Sequence, residues 1–298
     1  MSQAKRLCPQ GIFLYPDFEK YNAASQSIMS IFHTYTPLVE QVSMDEAYLD
    51  VAENKLKLDD PVKLAALIKQ HIFAVTKLTA SAGVAPAMFL AKIASDKQKP
   101  DGLTVVYPDK ILEFLKDLPV RKIPGVGPKT EEILRGMTLE TCGDVWGVKP
   151  QDLVAKLGKW GLELFHRARG EEERAVNPFL ERTQLSAEET FQKDMTDLPW
   201  LRRKLAQLAE HVFYELKQEE RTGRTIVLKV KYHDFSQITR SRTLAAPPQD
   251  WQSLYEIAWS LLKTKTLAGR KSVRLLGLGI SGLKNKSEIP RATQGELF

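Results

Sequence analysis

Ser43-Met44-Asp45-Glu46-Ala47-Tyr48-Leu49-Asp50 places two adjacent carboxylates between two stretches that can run as strands. Residues 39–44 lie on one side and residues 47–51 on the other, with β-branched side chains in both and the aromatic Tyr48 in the second. Neighbouring side chains on a strand point to opposite faces, so Asp45 and Glu46 share one site only where the backbone turns. Hard divalent cations take oxygen ligands, and phosphoryl transfer uses two such ions about 4 Å apart, balanced by about three carboxylates. An Asp-Glu step also suits a solvent-exposed β-turn, and the dipeptide alone does not separate the two.

The flanks give the architecture. Upstream, residues 18–32 carry apolar side chains at helical spacing, among them Tyr21, Ile28, Ile31 and Phe32. Downstream, residues 61–78 form an amphipathic helix, 79–84 a short strand of small residues, and 88–97 another helix. Leu103-Thr104-Val105-Val106 is a strand closed by Pro108. Strands alternating with helices imply a sheet with helices packed on it. From Lys110 to Gly170 the pattern is helical and short-looped, with Gly at most junctions, and residues 171–177, rich in charge, then read as a linker or exposed connection. Beyond Thr183 the segments 186–192, 225–232, 238–244 and 273–283 read as strands. Segments 201–218 and 251–264 read as helices. The order β-α-β-β-α-β describes a small two-layer domain.

At 298 residues the chain has room for two or three domains. No stretch approaches a membrane span, the start lacks a secretory pattern, and two cysteines, Cys8 and Cys142, are too few for a disulfide framework or a zinc site. A reducing cytoplasm is the expected compartment. The net charge of +6 is unevenly placed: residues 182–298 hold 20 of the 43 basic side chains but only 13 of the 37 acidic ones. That imbalance suits a polyanion partner and equally a solvated surface.

Two further patterns suit a phosphate backbone. In Ile123-Pro124-Gly125-Val126-Gly127-Pro128-Lys129-Thr130, Gly125, Val126 and Gly127 leave backbone N–H groups uncovered ahead of a helix, with Lys129 beside them. The spacing and flanking helices read as the hairpin of a helix-hairpin-helix element, which would hold a phosphate without reading sequence, with a plain Pro-Gly turn as the alternative. Leu157-Gly158-Lys159-Trp160-Gly161 is a looser match that reads better as a plain joint between helices. In residues 224–232 the period of two puts Lys229 and Lys231 on one sheet face, opposite Leu228 and Val230. Arg240 and Arg242 likewise share a face on the next strand, so two neighbouring strands offer a cationic track or are equally well ordinary amphipathic strands.

Ser81-Ala82-Gly83-Val84-Ala85, Phe89-Leu90-Ala91-Lys92-Ile93-Ala94-Ser95-Asp96 and Lys97-Gln98-Lys99-Pro100-Asp101-Gly102, with the acidic octapeptide upstream, closely resemble the palm of Y-family (translesion) DNA polymerases. The resemblance points to the bacterial DNA polymerase IV branch and runs almost to the C-terminus. It implies an α+β multidomain fold: residues 1–10 a remnant of the fingers, 11–107 an incomplete palm, 108–172 a helical thumb with the helix-hairpin-helix, and 173–183 a linker. Residues 184–284 would be the DNA-binding little finger, and 285–298 a flexible tail. By the same resemblance Asp45 and Glu46 are the catalytic metal ligands for two Mg²⁺ ions, and Lys99 contacts the incoming triphosphate. Lys92 and Asp96 hold the site's shape. Gln294, Leu297 and Phe298 match a sliding-clamp-binding peptide.

The implied activity is template-directed, error-prone DNA synthesis without proofreading, on primer-template DNA and deoxynucleoside triphosphates. The implied protein is cytoplasmic, monomeric and free of the membrane. Family members open with a strand bearing a first metal-binding Asp and an aromatic that excludes ribonucleotides, and nothing in this sequence matches these. Residues 1–298 are therefore expected to bind primed DNA but to extend it poorly. A non-catalytic DNA- and clamp-binding fragment is the alternative, and a helix-hairpin-helix glycosylase or nuclease a more distant one.

Overall fold

The structure is a computed structural model that describes residues 2–285. It divides into two compact units, with the division between Leu180 and Glu181.

The first unit begins with helices α1 (Ser2–Leu7) and α2 (Phe18–Tyr35), the latter capped by the Asp17 carboxylate on the Lys20 N–H. Strands β1 (Val39–Gln41) and β2 (Ala47–Leu49) form an antiparallel hairpin with Val39 opposite Leu49. Helix α3 (Pro61–Thr76) starts on Pro61 with Asp60 accepting from the Val62 and Lys63 N–H groups. Its Leu64, Ile68 and Ile72 pack on Ile31 and Tyr35 of α2. Strand β3 (Ala82–Val84), helix α4 (Met88–Lys97) and strand β4 (Leu103–Val105) make a β-α-β unit whose strands are parallel.

Small residues in β3 have a direct cause. A Cβ on Gly83 would lie 1.9 Å from the Ala91 carbonyl oxygen and 2.6 Å from the Ser95 nitrogen, so only glycine lets α4 seat on the strand. The sequence implies one helix-covered sheet here. The described strands instead pair as two separate two-stranded pieces, β1–β2 and β3–β4.

Five helices follow: α5 (Ile111–Lys116), α6 (Pro128–Gly136), α7 (Cys142–Trp146), α8 (Pro150–Leu157) and α9 (Lys159–Arg167). Their core, with Leu115, Ile123, Leu134, Val145, Leu153 and Leu164, also takes in Phe89, Leu90 and Ile93 of α4. Helix α4 therefore belongs to the strand layer and to the helical bundle at once. Burial pushes the Cys142 thiol up to about 12, which makes it a packing residue rather than a nucleophile. The connection after α9 is pinned to β1: Arg174 pairs with the buried carboxylate of Glu40, which also accepts the Asn177 N–H at 2.8 Å.

The second unit is a four-stranded antiparallel sheet with two helices on one face. In chain order it contains β5 (Gln184–Met195), α10 (Leu198–Gln218), β6 (Arg221–Thr222), β7 (Thr225–Tyr232), β8 (Gln237–Thr243), α11 (Trp251–Lys265), β9 (Val273–Ser281) and β10 (Lys284–Asn285). The sheet order is β5-β9-β7-β8. Ile226, Leu228, Val230, Leu276, Leu278 and Ile280 face Leu201, Leu205, Leu208, Leu254 and Leu262 of the two helices. The two-residue strands β6 and β10 pair with each other, so order continues to Asn285. Among the described residues no helix is long and apolar enough to cross a membrane.

Candidate active site and nucleic-acid interface

Asp45 and Glu46 sit where the β1–β2 hairpin bends. The Val42 and Ser43 N–H groups both donate to the Glu46 carbonyl, at 2.9 and 3.2 Å, which closes the turn. The Ser43 hydroxyl donates to the Asp45 carboxylate at 2.7 Å. Both carboxylates line a cavity of about 730 Å³ bounded by α2, the hairpin, residues 78–83 and one face of α4.

Helix α4 and the turn that follows it bring the cations. Lys92 is ion-paired with Glu46, and Lys99 donates to Asp96 at 2.6 Å while lining the same cavity. The bond from Lys99 holds the Asp96 carboxyl below its usual range. The same bond raises the Lys99 ammonium, with smaller contributions from the fields of Asp96, Glu46 and Asp45. Tyr48, on the wall of the cavity, is raised by burial and by the nearby Glu172 and Glu46 carboxylates. The donor set suits a hard divalent cation: two carboxylates face one cavity, and Asp45 makes no ion pair at contact distance among the described residues. No group of three or more acidic, His or Cys side chains with metal-site geometry occurs among the described residues.

The hairpin between the 3₁₀ turn Val120–Lys122 and α6 leaves backbone N–H groups open. Gly125 has φ +97°, and a Cβ there would lie 2.5 Å from the Trp160 ring, so the close approach of α9 requires glycine. Gly127 is the N-cap of α6 and Pro128 its first residue. The Gly125 and Gly127 N–H groups make no hydrogen bond to another described residue, and Lys129 is exposed beside them. The looser Gly158 match is the joint between α8 and α9.

In the second unit, each expected pair of cations shares a face, but the two pairs do not share the same one. The register sets Arg240 opposite Leu228 and Arg242 opposite Ile226, while Lys229 lies opposite Thr239. Residues directly opposite in a ladder project to the same side. The arginines therefore fall on the helix-covered side and the lysines on the open side, which corrects the single track read from the two strands separately. Because β8 is an edge strand, Arg240 and Arg242 still reach solvent beyond the rim. Lys229 is committed to Glu188 at 2.6 Å and Arg240 donates to the Lys265 carbonyl. The side chains of Lys231 and Arg242 have no hydrogen bond or ion pair to another described residue. Gln294, Leu297 and Phe298 lie outside the described residues.

The comparisons with known proteins bear on this geometry. Residues 1–96 match the model of the impB/mucB/samB family, 108–137 that of the IMS family HHH motif, and 182–296 that of the impB/mucB/samB family C-terminal domain. The DNA polymerase IV of Xanthomonas campestris pv. campestris (strain 8004) is 43% identical over 296 residues, spanning 99% of this chain and 82% of the relative. The chain belongs to the impB/mucB/samB family, the Y-family DNA polymerases.

DNA polymerase IV 2 of Agrobacterium fabrum is 42% identical, with 99% of this chain and 82% of the relative covered. Among solved structures, a Y-family DNA polymerase chimera of Dbh and Dpo4 superposes with a TM-score of 0.83 at 25% identity, over 94% of this chain and 81% of that one. DinB from Sulfolobus solfataricus gives 0.58 at 25% identity, over 94% and 82%. The family is one of DNA-directed DNA polymerases of the translesion type, which disfavours the non-catalytic alternative and the glycosylase or nuclease reading. As nucleotidyltransferases, its members work with divalent metal ions.

Sequence reasoning missed Ser43, Tyr48, Glu40, Arg167 and Glu172. Ser43 and Tyr48 lie inside the acidic octapeptide, so their position was a usable signal. Glu40 meets Arg174, Arg167 meets Pro124 and Glu172 meets Phe89 only through tertiary packing, and those contacts carry no local pattern.

Proposed function

We propose that this chain carries out template-directed nucleotidyl transfer, with Asp45 and Glu46 holding Mg²⁺ against the phosphates of an incoming deoxynucleoside triphosphate. The observation that supports it is the placing of both carboxylates and Lys99 on one cavity. The bound ions would supply the charge that activates the primer 3′ hydroxyl and steadies the triphosphate. Asp45 is the freer ligand, with only a hydroxyl as partner. Glu46 enters the same role as Lys92 yields it. Lys99 reaches the triphosphate by exchanging Asp96 for a phosphate oxygen, a swap between two anions that leaves its own charge paired.

The Gly125 and Gly127 N–H groups, with Lys129, hold a phosphate of the duplex. Lys231 and Arg242, whose charged heads are uncommitted, supply backbone contacts from the second unit, with Lys229 and Arg240 adding the same charge from committed positions. The tail residues Gln294, Leu297 and Phe298 give a sliding clamp an extended peptide to bind. The protein works in the cytoplasm as a monomer, with palm, thumb and little finger at residues 11–107, 108–172 and 184–284.

Single-nucleotide extension of a recessed primer tests this. With two carboxylates on the cavity among the described residues, addition is expected to be slow, to follow the template base, to need Mg²⁺ and to vanish in Asp45→Asn. Addition that ignores the template, or that persists in Asp45→Asn, would contradict the assignment. Tight binding of primed DNA with no addition on long incubation would return the chain to the DNA- and clamp-binding reading.

A further inference from the structure

Arg167, near the C-terminal end of α9, makes contacts that join the phosphate hairpin to helix α4. One guanidinium nitrogen, Nη1, donates to the Pro124 carbonyl at 3.0 Å. The other, Nη2, pairs with Glu163 at 2.6 Å and with Glu172 at 3.0 Å. The guanidinium lies 5.8 Å from the Phe89 ring centroid and 5.4 Å from that of Trp160. Glu172 in turn accepts the Phe89 N–H at 3.0 Å. That N–H is in the first turn of α4, whose N-cap, Ala87, has no capping side chain. Glu172 is therefore the cap that α4 lacks locally.

The two ends of this chain of contacts carry the proposed chemistry. The Pro124 carbonyl and the Gly125 N–H are one peptide group. A guanidinium donating to its oxygen polarises the N–H that faces the phosphate. At the other end, the helix capped by Glu172 carries Lys92 against Glu46 and leads to Lys99.

Stability alone explains the arrangement poorly. The Arg167 and Glu172 side chains are only 13% and 6% exposed, and the Arg167 Nε is buried without a partner. Buried ion pairs with an unsatisfied donor are weak stabilisers, and apolar side chains of the same volume serve packing as well.

We infer that Arg167 and Glu172 are positioning residues that couple phosphate occupancy at the Gly125 hairpin to the setting of α4 over the carboxylates. The inference rests on the polymerase reading above. When a phosphate loads the Gly125 N–H, the peptide draws harder on Arg167, and the Arg167–Glu172 pair tightens the cap on Phe89. The same contacts run in reverse, so an ordered α4 favours phosphate binding at the hairpin.

The Phe89 amide reports the coupling directly. Its hydrogen exchange would be measured by NMR with and without a short primer-template, in wild type, Glu172→Gln, Arg167→Lys and Glu163→Gln. In wild type the DNA is expected to slow Phe89 exchange by about tenfold or more. At saturating DNA, Glu172→Gln and Arg167→Lys are expected to lose that slowing and, because the coupling is reciprocal, to bind the DNA up to about tenfold more weakly. Glu163→Gln, which touches Arg167 but neither the hairpin nor α4, is expected to keep both. Slowing that survives in both Glu172→Gln and Arg167→Lys would overturn the coupling, as would wild type that binds DNA with no change at Phe89. Wild type that fails to bind DNA would overturn the polymerase reading itself. A fold lost in one variant leaves the other to decide.

Discussion

Glu46 and Lys92 are ion-paired across the space between the bend of the β1–β2 hairpin and helix α4. The pair makes Lys92 a competitor for the oxygen that a divalent cation needs. In Lys92→Met the carboxylate has no counter-charge to give up, so Mg²⁺ binding is expected to tighten by about three- to tenfold. Both side chains are partly exposed, so global stability should change by less than about 1 kcal/mol. Calorimetric titration of Mg²⁺ checks the first expectation, and weaker binding would show that Lys92 positions Glu46 rather than competing for it.

Lys99 and Asp96 set a pH window. The Asp96 carboxyl is depressed by the bond from Lys99, and the Lys99 ammonium is raised by the same bond. A depressed carboxyl contributes stability above its unfolded value of about 4 and loses it as pH falls through the folded value. A raised ammonium contributes below about 10.4 and loses it as pH rises through the folded value. Nucleotide binding should therefore show no titration from this pair between roughly pH 5 and 10. Lys99→Met should lower triphosphate affinity about tenfold while leaving primed-DNA binding unchanged. A nucleotide-binding step near neutral pH that disappears in Lys99→Met would contradict the assignment.

The second unit yields a test in salt. Each lysine or arginine that replaces a counterion on duplex DNA contributes about 0.9 to the slope of log affinity against log salt. Lys231→Ala and Arg242→Ala should each reduce the slope by about one, because neither head group has another described partner. Lys229→Ala should change it less, since Lys229 already pairs with Glu188. Equal effects from all three would mean that the Glu188 pair opens on binding.

Gly83→Ala tests the seat of α4. The added methyl meets two backbone atoms, the Ala91 oxygen at 1.9 Å and the Ser95 nitrogen at 2.6 Å, and neither can rotate away. A loss of about 1–3 kcal/mol or more is expected in urea unfolding. An unchanged midpoint would place α4 elsewhere on the strand.

Much of this architecture is legible in the amino-acid sequence. Asp45 and Glu46 stand out because a turn between two β-rich stretches lets neighbouring carboxylates share a site, and they line one cavity. The period-two pattern of residues 225–232 shows which β7 side chains are buried, since Leu228 and Val230 lie in the core. What the pattern cannot give is register. Alternation assigns faces within a strand, and only the pairing of Leu228 with Arg240 reveals that the arginines lie across the sheet from the lysines. The double allegiance of α4 is hidden for a related reason, because its apolar residues read equally well as packing on a sheet or in a bundle. The bond from Phe89 to Glu172 crosses 83 residues and has no local signature. Strands β6 and β10, two residues each, are too short for any periodicity.

The central claim is that the Asp45 and Glu46 oxygens hold divalent cations against a nucleotide's phosphates. Its most direct measurement is the affinity of a protein–primer-template complex for the complementary deoxynucleoside triphosphate, with and without Mg²⁺, in wild type and in Asp45→Asn/Glu46→Gln. Mg²⁺ is expected to tighten binding of the complementary nucleotide in wild type and to do nothing in the double variant, with DNA affinity the same in both. An equal Mg²⁺ effect in the two proteins would contradict the claim.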